Sequence, residues 1–330
     1  MLHVAVVGVG FGRRHLEALS KLPELVRVTT VCALEVDQAR AAAEQYQIAR
    51  WCGDYEEVLK DPTVDVVCLA TPHHVHRNMT IAALERGKHV YCEKPAALTL
   101  AEAREMAEAA ERAGRLVNIG YNMRYYEQYQ MAKALIDAGA IGRIFLADVF
   151  AFANARSLGG FRLSRSMAGG GCLIDSGAHR LDLIRWLLGP YESVFARAGN
   201  YVVTQMEGED TAVLSLRLRG EILATLTVSW GTHVPTWHEG MRLYGTEGTL
   251  EVWDHDLSLT LRRADGKVEV HKFLRTYEET LVEAWRDFAG AIEKGQRQSD
   301  TVKLLAVNQV LDAAYESMRT GKPVAIEAPV

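Results

Sequence analysis

The stretch LHVAVVGVGFGRRHLEAL, residues 2–19, is an apolar run that meets a glycine cluster and continues as a helix-like segment. A continuous apolar strand needs cover on both faces, which a parallel sheet with crossover helices supplies. Gly8 permits a tight turn, and Gly10 lets a ligand approach the backbone. The helix behind them offers free N–H groups and a partial positive charge, the ingredients of an anion site. A bare tight turn is the alternative, and it becomes the weaker one if the same strand–helix alternation continues.

It continues. VRVTTVCAL, VDVVCLATP, KHVYCEKP and RLVNIGY read as further buried strands, and VDQARAAAEQY, VHRNMTIAALERG and TLAEAREMAEAAERAG as helices between them. Thr99 caps the last of these helices and Gly114 stops it; Gly87 closes the one before. This predicts an α/β chain: a doubly wound parallel-sheet Rossmann domain over residues 1–121. From residue 122 the pattern changes. A helix is expected near Glu127–Ala138 and a strand over Ile144–Ala153, then a glycine-rich loop, MAGGGCLID, leading into a helix ending RWLLGP. Strands in close succession follow up to KVEVHKF, several of them alternating apolar and polar residues, and helices near Glu278–Lys294 and Thr301–Arg319 close the chain. The second domain, residues 122–330, is therefore α+β with a large, mostly antiparallel sheet that leaves one face free for a partner.

Composition excludes several classes. The 330 residues suffice for about two domains. Net charge is −5 with no basic stripe, which argues against nucleic acid. No apolar run approaches the roughly 18 residues of a membrane span, and the N-terminus lacks a basic n-region and a cleavage site. The five cysteines form no CxxC pair and sit in apolar runs, as expected of reduced, buried thiols in a cytoplasmic protein.

The glycine turn departs from G-x-G-x-x-G. Its third glycine is Gly12, behind Phe11, and Arg13 takes the usual glycine position. The second strand usually ends in an acid for the ribose hydroxyls; here Ala33 stands there, with Glu35 and Asp37 just beyond. Glu35 either reaches the ribose or is an exposed charge at the next helix. With no Lys or Arg directly after the strand, NAD is favoured over NADP, and both remain open.

Three motifs in order carry a resemblance: ATP..H at Ala70–His76, CEKP at Cys92–Pro95, and GGGCLIDSGAHRLDLIRWLLG at Gly169–Gly189. With them the chain resembles the Gfo/Idh/MocA oxidoreductase family, over nearly its whole length. The resemblance implies a nucleotide-binding domain followed by a substrate domain whose sheet packs against its copy in a homodimer or homotetramer. It implies a site between the domains, beside the nicotinamide, and a polyhydroxylated small-molecule substrate. It maps Asp175 and His179 onto the family's catalytic pair and implies a cis Lys94–Pro95 bond. It also places the GYNMRYYEQY stretch against substrate through Tyr121, Asn122 and Arg124.

The residues themselves support a hydride transfer at a secondary alcohol, which needs a proton acceptor, a stabiliser for the alkoxide and a held carbon. His179 is the candidate base, because an imidazole titrates near neutrality. Asp175, four residues earlier on the expected helix, shares its face and either orients His179 or binds a substrate hydroxyl. Asp182, one turn beyond, is a candidate for the other ring nitrogen. Lys94, at the carboxyl edge of a parallel strand, brings a cation to the reacting oxygen, and Glu93 contacts the nicotinamide side or buttresses the loop. Thr71 and Pro72 line the nicotinamide ribose, with His73 and His76 beside them in a positional role. His73, His74 and His76 do not supply the converging ligand set of a metal site, so none is expected. Arg156, Arg162, Trp237 and His238 are candidate substrate contacts from the second domain; Tyr125, Tyr126 and Tyr129 read as packing. Two further functions stay open: a glycosidase or epimerase-like enzyme that oxidises its sugar only transiently, and a non-catalytic dinucleotide or sugar sensor. The presence of Lys94, Asp175 and His179 argues against the sensor.

Overall fold

The computed structural model describes residues 1–234 and 237–327. In chain order the elements are β1 (Leu2–Val7), α1 (Gly12–Ser20), β2 (Val26–Cys32), α2 (Val36–Gln45), β3 (Arg50–Cys52), α3 (Tyr55–Lys60), β4 (Val66–Leu69), α4 (His76–Glu85), β5 (His89–Cys92), α5 (Leu100–Ala113) and β6 (Val117–Ile119). They continue with α6 (Glu127–Asp137), β7 (Ile144–Phe152), α7 (Arg165–Ala168), a π-helical turn (Leu173–Gly177), α8 (Ala178–Leu188), β8 (Tyr191–Gly199), β9 (Thr211–Leu218) and β10 (Ile222–Ser229). Then come β11 (His238–Gly245), β12 (Gly248–Trp253), β13 (Ser258–Arg263), β14 (Val268–Lys272), α9 (Tyr277–Glu293), α10 (Thr301–Thr320) and β15 (Val324–Ala325). The short β3, α3 and β15 carry too little periodicity to be read from sequence.

The chain divides into two compact units, residues 1–122 with 277–305, and residues 123–276 with 306–330. The first boundary lies one residue from the expected 121. The return of residues 277–305 corrects the single cut. Its reason is the apolar face of α9: Leu281, Ala284, Trp285 and Phe288 are buried, and the Trp285 ring stacks on Tyr91 of β5 at 4.4 Å. A helix period shows that a face is apolar but not which sheet it covers.

The first unit is a six-stranded sheet in the order β3-β2-β1-β4-β5-β6, every pair parallel. This is the doubly wound order, with its switch point between β1 and β4. Thr99 caps α5 by accepting from the Glu102 N–H at 3.2 Å, while the Glu102 carboxylate accepts from the Leu98 N–H at 2.9 Å. Such a cap contributes about 1 kcal/mol. Gly114 ends the helix in the left-handed region.

His89 opens β5, and its Nδ1 accepts the Leu116 N–H at 3.0 Å. Burial, aided by the Arg115 charge, lowers its pKa from the ordinary 6.5 to about 4. Burial also lowers that of His76. Below the ordinary value the unfolded chain therefore binds protons that the folded chain does not, so stability declines as pH falls. Denaturant midpoints should drop between pH 6.5 and about 4. His89→Asn, which keeps an acceptor for Leu116 without titrating, should show a shallower drop; an equal drop in both proteins would refute this.

The second unit holds a nine-stranded sheet in the order β14-β13-β12-β11-β7-β10-β9-β8-β15. It is antiparallel except for β7 and β10, which run parallel. Strand β9 alternates strictly, with Ala212, Leu214, Leu216 and Leu218 buried and Val213, Ser215 and Arg217 exposed. The expected sheet with one covered face is thus the observed one. Helix α8 is buried almost all round, Arg180 included.

Candidate active site

In the first unit the site grows from the glycine turn. Gly8 has φ +92°, and a Cβ there would stand 2.4 Å from the Ala70 carbonyl oxygen, so β1 and β4 close only around a glycine. Gly12 lies against Val6, where a Cβ would come within 3.2 Å of the valine Cγ1. Gly10 opens onto free space. The first turn of α1 has no capping side chain and no acid, leaving its N–H groups to a ligand. Phe11 turns its ring edge toward His15 and Tyr277. Arg13 is directed to Gln45, donating to its Oε1 at 2.8 Å. Ala33 is buried at the end of β2, Leu34 is 94% exposed, and Glu35 is exposed at the start of α2.

At the carboxyl edge of β4, the Thr71 hydroxyl is buried without a hydrogen-bond partner among the described residues. The open Gly10, the uncapped α1 and this hydroxyl fit a dinucleotide lying over the carboxyl ends of β1 and β4. His76 is fully buried, with Nδ1 2.8 Å from the Pro95 carbonyl and Nε2 2.9 Å from the Thr71 carbonyl. It ties the two loops together. His73, also buried, lies beside it with ring centroids 5.8 Å apart.

Lys94 follows β5, half-buried, and its bond to Pro95 is cis, as the resemblance implies. Glu93 is turned into the core. Its Oε2 accepts the Lys94 N–H at 3.2 Å and its Oε1 accepts from His15 Nε2 at 2.9 Å. The Trp285 indole N–H donates to His15 Nδ1 at 3.0 Å. An indole can only donate, so His15 carries its proton on Nε2, which donates a hydrogen bond to the carboxylate. Glu93 therefore acts on Lys94 through the backbone, and a Cβ on Gly120 would strike its carboxylate at 2.6 Å. His15 and Trp285 escape sequence reading because each sits on an apolar helix face and resembles core. Tyr121 is fully buried, and Asn122 donates from Nδ2 to Thr280 Oγ1 at 2.6 Å inside the same unit.

In the second unit, Asp175 lies in the π-helical turn and His179 in the first turn of α8, both nearly buried. The single α-helical face expected for them is corrected, since the backbone changes from π to α between the two residues. Asp175 Oδ2 accepts from Arg162 Nε at 2.6 Å, and the guanidinium of Arg162 lies 4.8 Å from the Phe161 ring centroid. Arg162 is thereby placed beside a candidate catalytic group. Asp182 forms a bidentate pair with Arg124, at 2.6 and 2.7 Å. This is a partner the sequence does not announce for either residue, and it anchors Arg124 to α8. Arg156 donates to the carbonyls of Gly231 and Thr232 and to Asn154. His238 stacks with Phe150 in β7 and borders Trp253, while Trp237 is exposed. All five cysteines are buried and none is in a disulfide. Among the described residues no helix is long and apolar enough to cross a membrane, and no three His, Cys, Asp or Glu side chains converge as a metal set.

A doubly wound sheet with a glycine turn at its switch point, joined to a unit carrying a buried acid and imidazole, fits a dinucleotide-binding protein with a candidate acid–base pair. Family profiles agree: one described as an oxidoreductase family with an NAD-binding Rossmann fold matches residues 2–121, and the GFO/IDH/MocA C-terminal domain matches residues 129–251. A 1,5-anhydro-D-fructose reductase of Ensifer adhaerens is 31% identical over 83% of both chains. The scyllo-inositol 2-dehydrogenase (NAD(+)) of Bacillus subtilis is 27% identical over 98% of this chain and 96% of its own. The structure of a levoglucosan dehydrogenase in complex with NADH superposes with a TM-score of 0.93 at 24% identity, covering 99% of this chain and 100% of that one, and so shares its fold. The chain belongs to the Gfo/Idh/MocA oxidoreductase family.

Proposed function

We propose that this protein moves a hydride between NAD and a secondary alcohol or ketone carbon of a sugar, cyclitol or related polyol. The observation that carries the reading is the family membership over both units, with relatives that act on inositol and anhydro sugars, together with Lys94, Asp175 and His179 in this chain. The bound nicotinamide supplies the hydride acceptor or donor. Gly8, Gly10, Gly12 and the α1 N-terminus hold the dinucleotide; Thr71 and Pro72 line its nicotinamide end. His179 takes the carbinol proton and returns it in the reverse direction. Lys94 places positive charge at the oxygen as it becomes an alkoxide. Asp175, with its charge shared by Arg162, binds a neighbouring hydroxyl or orients the imidazole.

NAD is the coenzyme favoured over NADP. The segment from Ala33 to Ala39 carries Glu35 and Asp37 and no Lys or Arg, so a 2′-phosphate would meet carboxylates rather than a cation. The free face of the nine-stranded sheet, with Val213 and Leu223 exposed, is proposed to pair with a second copy, giving a homodimer or homotetramer; light scattering after gel filtration tests it. A screen of polyols, aldoses, inositols and anhydro sugars with both coenzymes, following absorbance of the reduced nicotinamide, tests the activity. Turnover of at least one polyol with NAD is expected. Glycoside cleavage without net reduced coenzyme would instead establish transient oxidation, and no turnover with any of them would overturn the reading.

A further inference from the structure

The start of the helical segment that carries Asp175 and His179 is not capped by the side chain of its own N-cap residue, Cys172. The first turn of any helix leaves N–H groups without an intrahelical partner. Here three successive ones go to a single distant residue. The Gly171 and Leu173 N–H groups donate to Glu209 Oε1 at 3.0 and 3.1 Å, and the Cys172 N–H donates to the Glu209 backbone carbonyl at 2.8 Å. The same Oε1 accepts the Tyr315 hydroxyl of α10 at 2.9 Å. The carboxylate thus stands where the helix dipole favours negative charge and where charge-assisted hydrogen bonds are strongest.

The glycines before this turn are explained by the same contact. A Cβ on Gly171 would lie 1.9 Å from the Glu209 carbonyl oxygen, and one on Gly170 would lie 2.0 Å from the Tyr315 hydroxyl. On the facing segment, a Cβ on Gly208 would lie 2.5 Å from the Gly170 carbonyl carbon. The two backbones therefore touch only because both are glycine-lined. Farther along the turn, the Trp230 indole N–H donates to Ser176 Oγ at 2.8 Å, directly after Asp175. The π-helical turn is held at its start by Glu209 and near its end by Trp230.

We propose that Glu209, braced by Tyr315, is a positioning residue that sets the π-helical turn and with it the placement of Asp175 and His179. This rests on the reading of those two residues as the reacting pair. Glu209 touches neither coenzyme nor substrate in this assignment; it acts through the backbone of Gly171–Leu173.

The test compares Glu209→Ala, Glu209→Gln, Tyr315→Phe, His179→Ala and the Glu209→Ala/His179→Ala pair, each as the full chain, with NAD and the best polyol of the screen. Glu209→Ala should lower kcat about 10²-fold, the scale of an ångström-sized misplacement, with the KM for NAD unchanged. Glu209→Gln keeps an acceptor oxygen and should recover most of the loss. In the His179→Ala background the same alanine should lower kcat by no more than about threefold, because residues acting as one unit are not additive. Tyr315→Phe, which removes one donor and leaves the ring, should give a smaller fall in kcat at constant KM for NAD, and it decides the matter if the alanine variant does not fold. An unchanged kcat in Tyr315→Phe, or equal losses on Glu209→Ala in both backgrounds, would overturn the positioning role while leaving His179 catalytic. Full kcat in His179→Ala would instead overturn the catalytic reading itself, and the positioning role with it.

Discussion

Lys94→Ala is expected to lower kcat by about 10²–10³-fold, the usual effect of removing a donor aimed at a developing oxyanion, while NAD still binds. The two effects separate because different parts of the first unit serve them. In the proposed reading the dinucleotide is held by the turn at Gly8–Gly12 and by the α1 N-terminus, which the substitution does not touch. Lys94 stands after β5, held by its backbone N–H to Glu93 Oε2 at 3.2 Å. Behind that carboxylate stand His15 and Trp285, all within the same unit. Truncating the side chain removes the ammonium and leaves this frame. Steady-state kinetics on the best polyol, with calorimetric titration of NAD, measures both quantities. A kcat within about threefold of the parent would remove Lys94 from the chemistry. A parallel loss of NAD affinity would make it a coenzyme ligand first.

The second large effect is on stability. Arg180 is fully buried in α8, donating to Glu239 Oε2 at 2.6 Å, to Asp254 and to the Tyr129 hydroxyl at 2.8 Å. One guanidinium there compensates two nearly buried carboxylates. Arg180→Leu leaves both without it, and removing one partner from a buried ion pair costs about 3–5 kcal/mol. The midpoint of denaturant unfolding should fall accordingly. Arg180→Lys should be intermediate, since a lysine restores charge without the planar fork that reaches three partners. A deficit under about 1 kcal/mol would refute the argument. Because Arg180 is the residue after His179, the less damaging lysine variant also reports whether the depth of α8 matters for turnover.

The residues readable in advance are those whose chemistry is local. Gly8, Gly10 and Gly12 follow an apolar strand and open a helix, and the turn that results is confined to a dozen residues. Thr99 and Gly114 bracket α5 by hydrogen bonds within one helical turn, so the sequence announces them too. His76 is legible as a positional residue, although the two carbonyls it joins, of Thr71 and Pro95, emerge only when β4 and β5 lie side by side. Glu209 gives no such signal: the N–H groups its carboxylate accepts are 36 and 38 residues away and the Tyr315 hydroxyl 106, and in the sequence it is one acid before a strand. Asp182 illustrates the opposite case. Helical spacing draws attention to His179 as a neighbour, yet the bidentate pair is with Arg124, 58 residues earlier.

The amino-acid order alone determined the parallel sheet, the glycine turn, the change to an antiparallel sheet after residue 122 and the identity of the candidate reacting groups. Each follows from periodicity, turn chemistry or side-chain type, all short-range properties of the chain. Tertiary structure decided that residues 277–305 return to cover the first sheet, that the turn bearing Asp175 is π-helical, and which partners hold Glu93, Asp182 and Glu209. Those outcomes depend on which apolar faces and buried charges meet across long loops, and burial free energy has no direction along the sequence from which such meetings could be read.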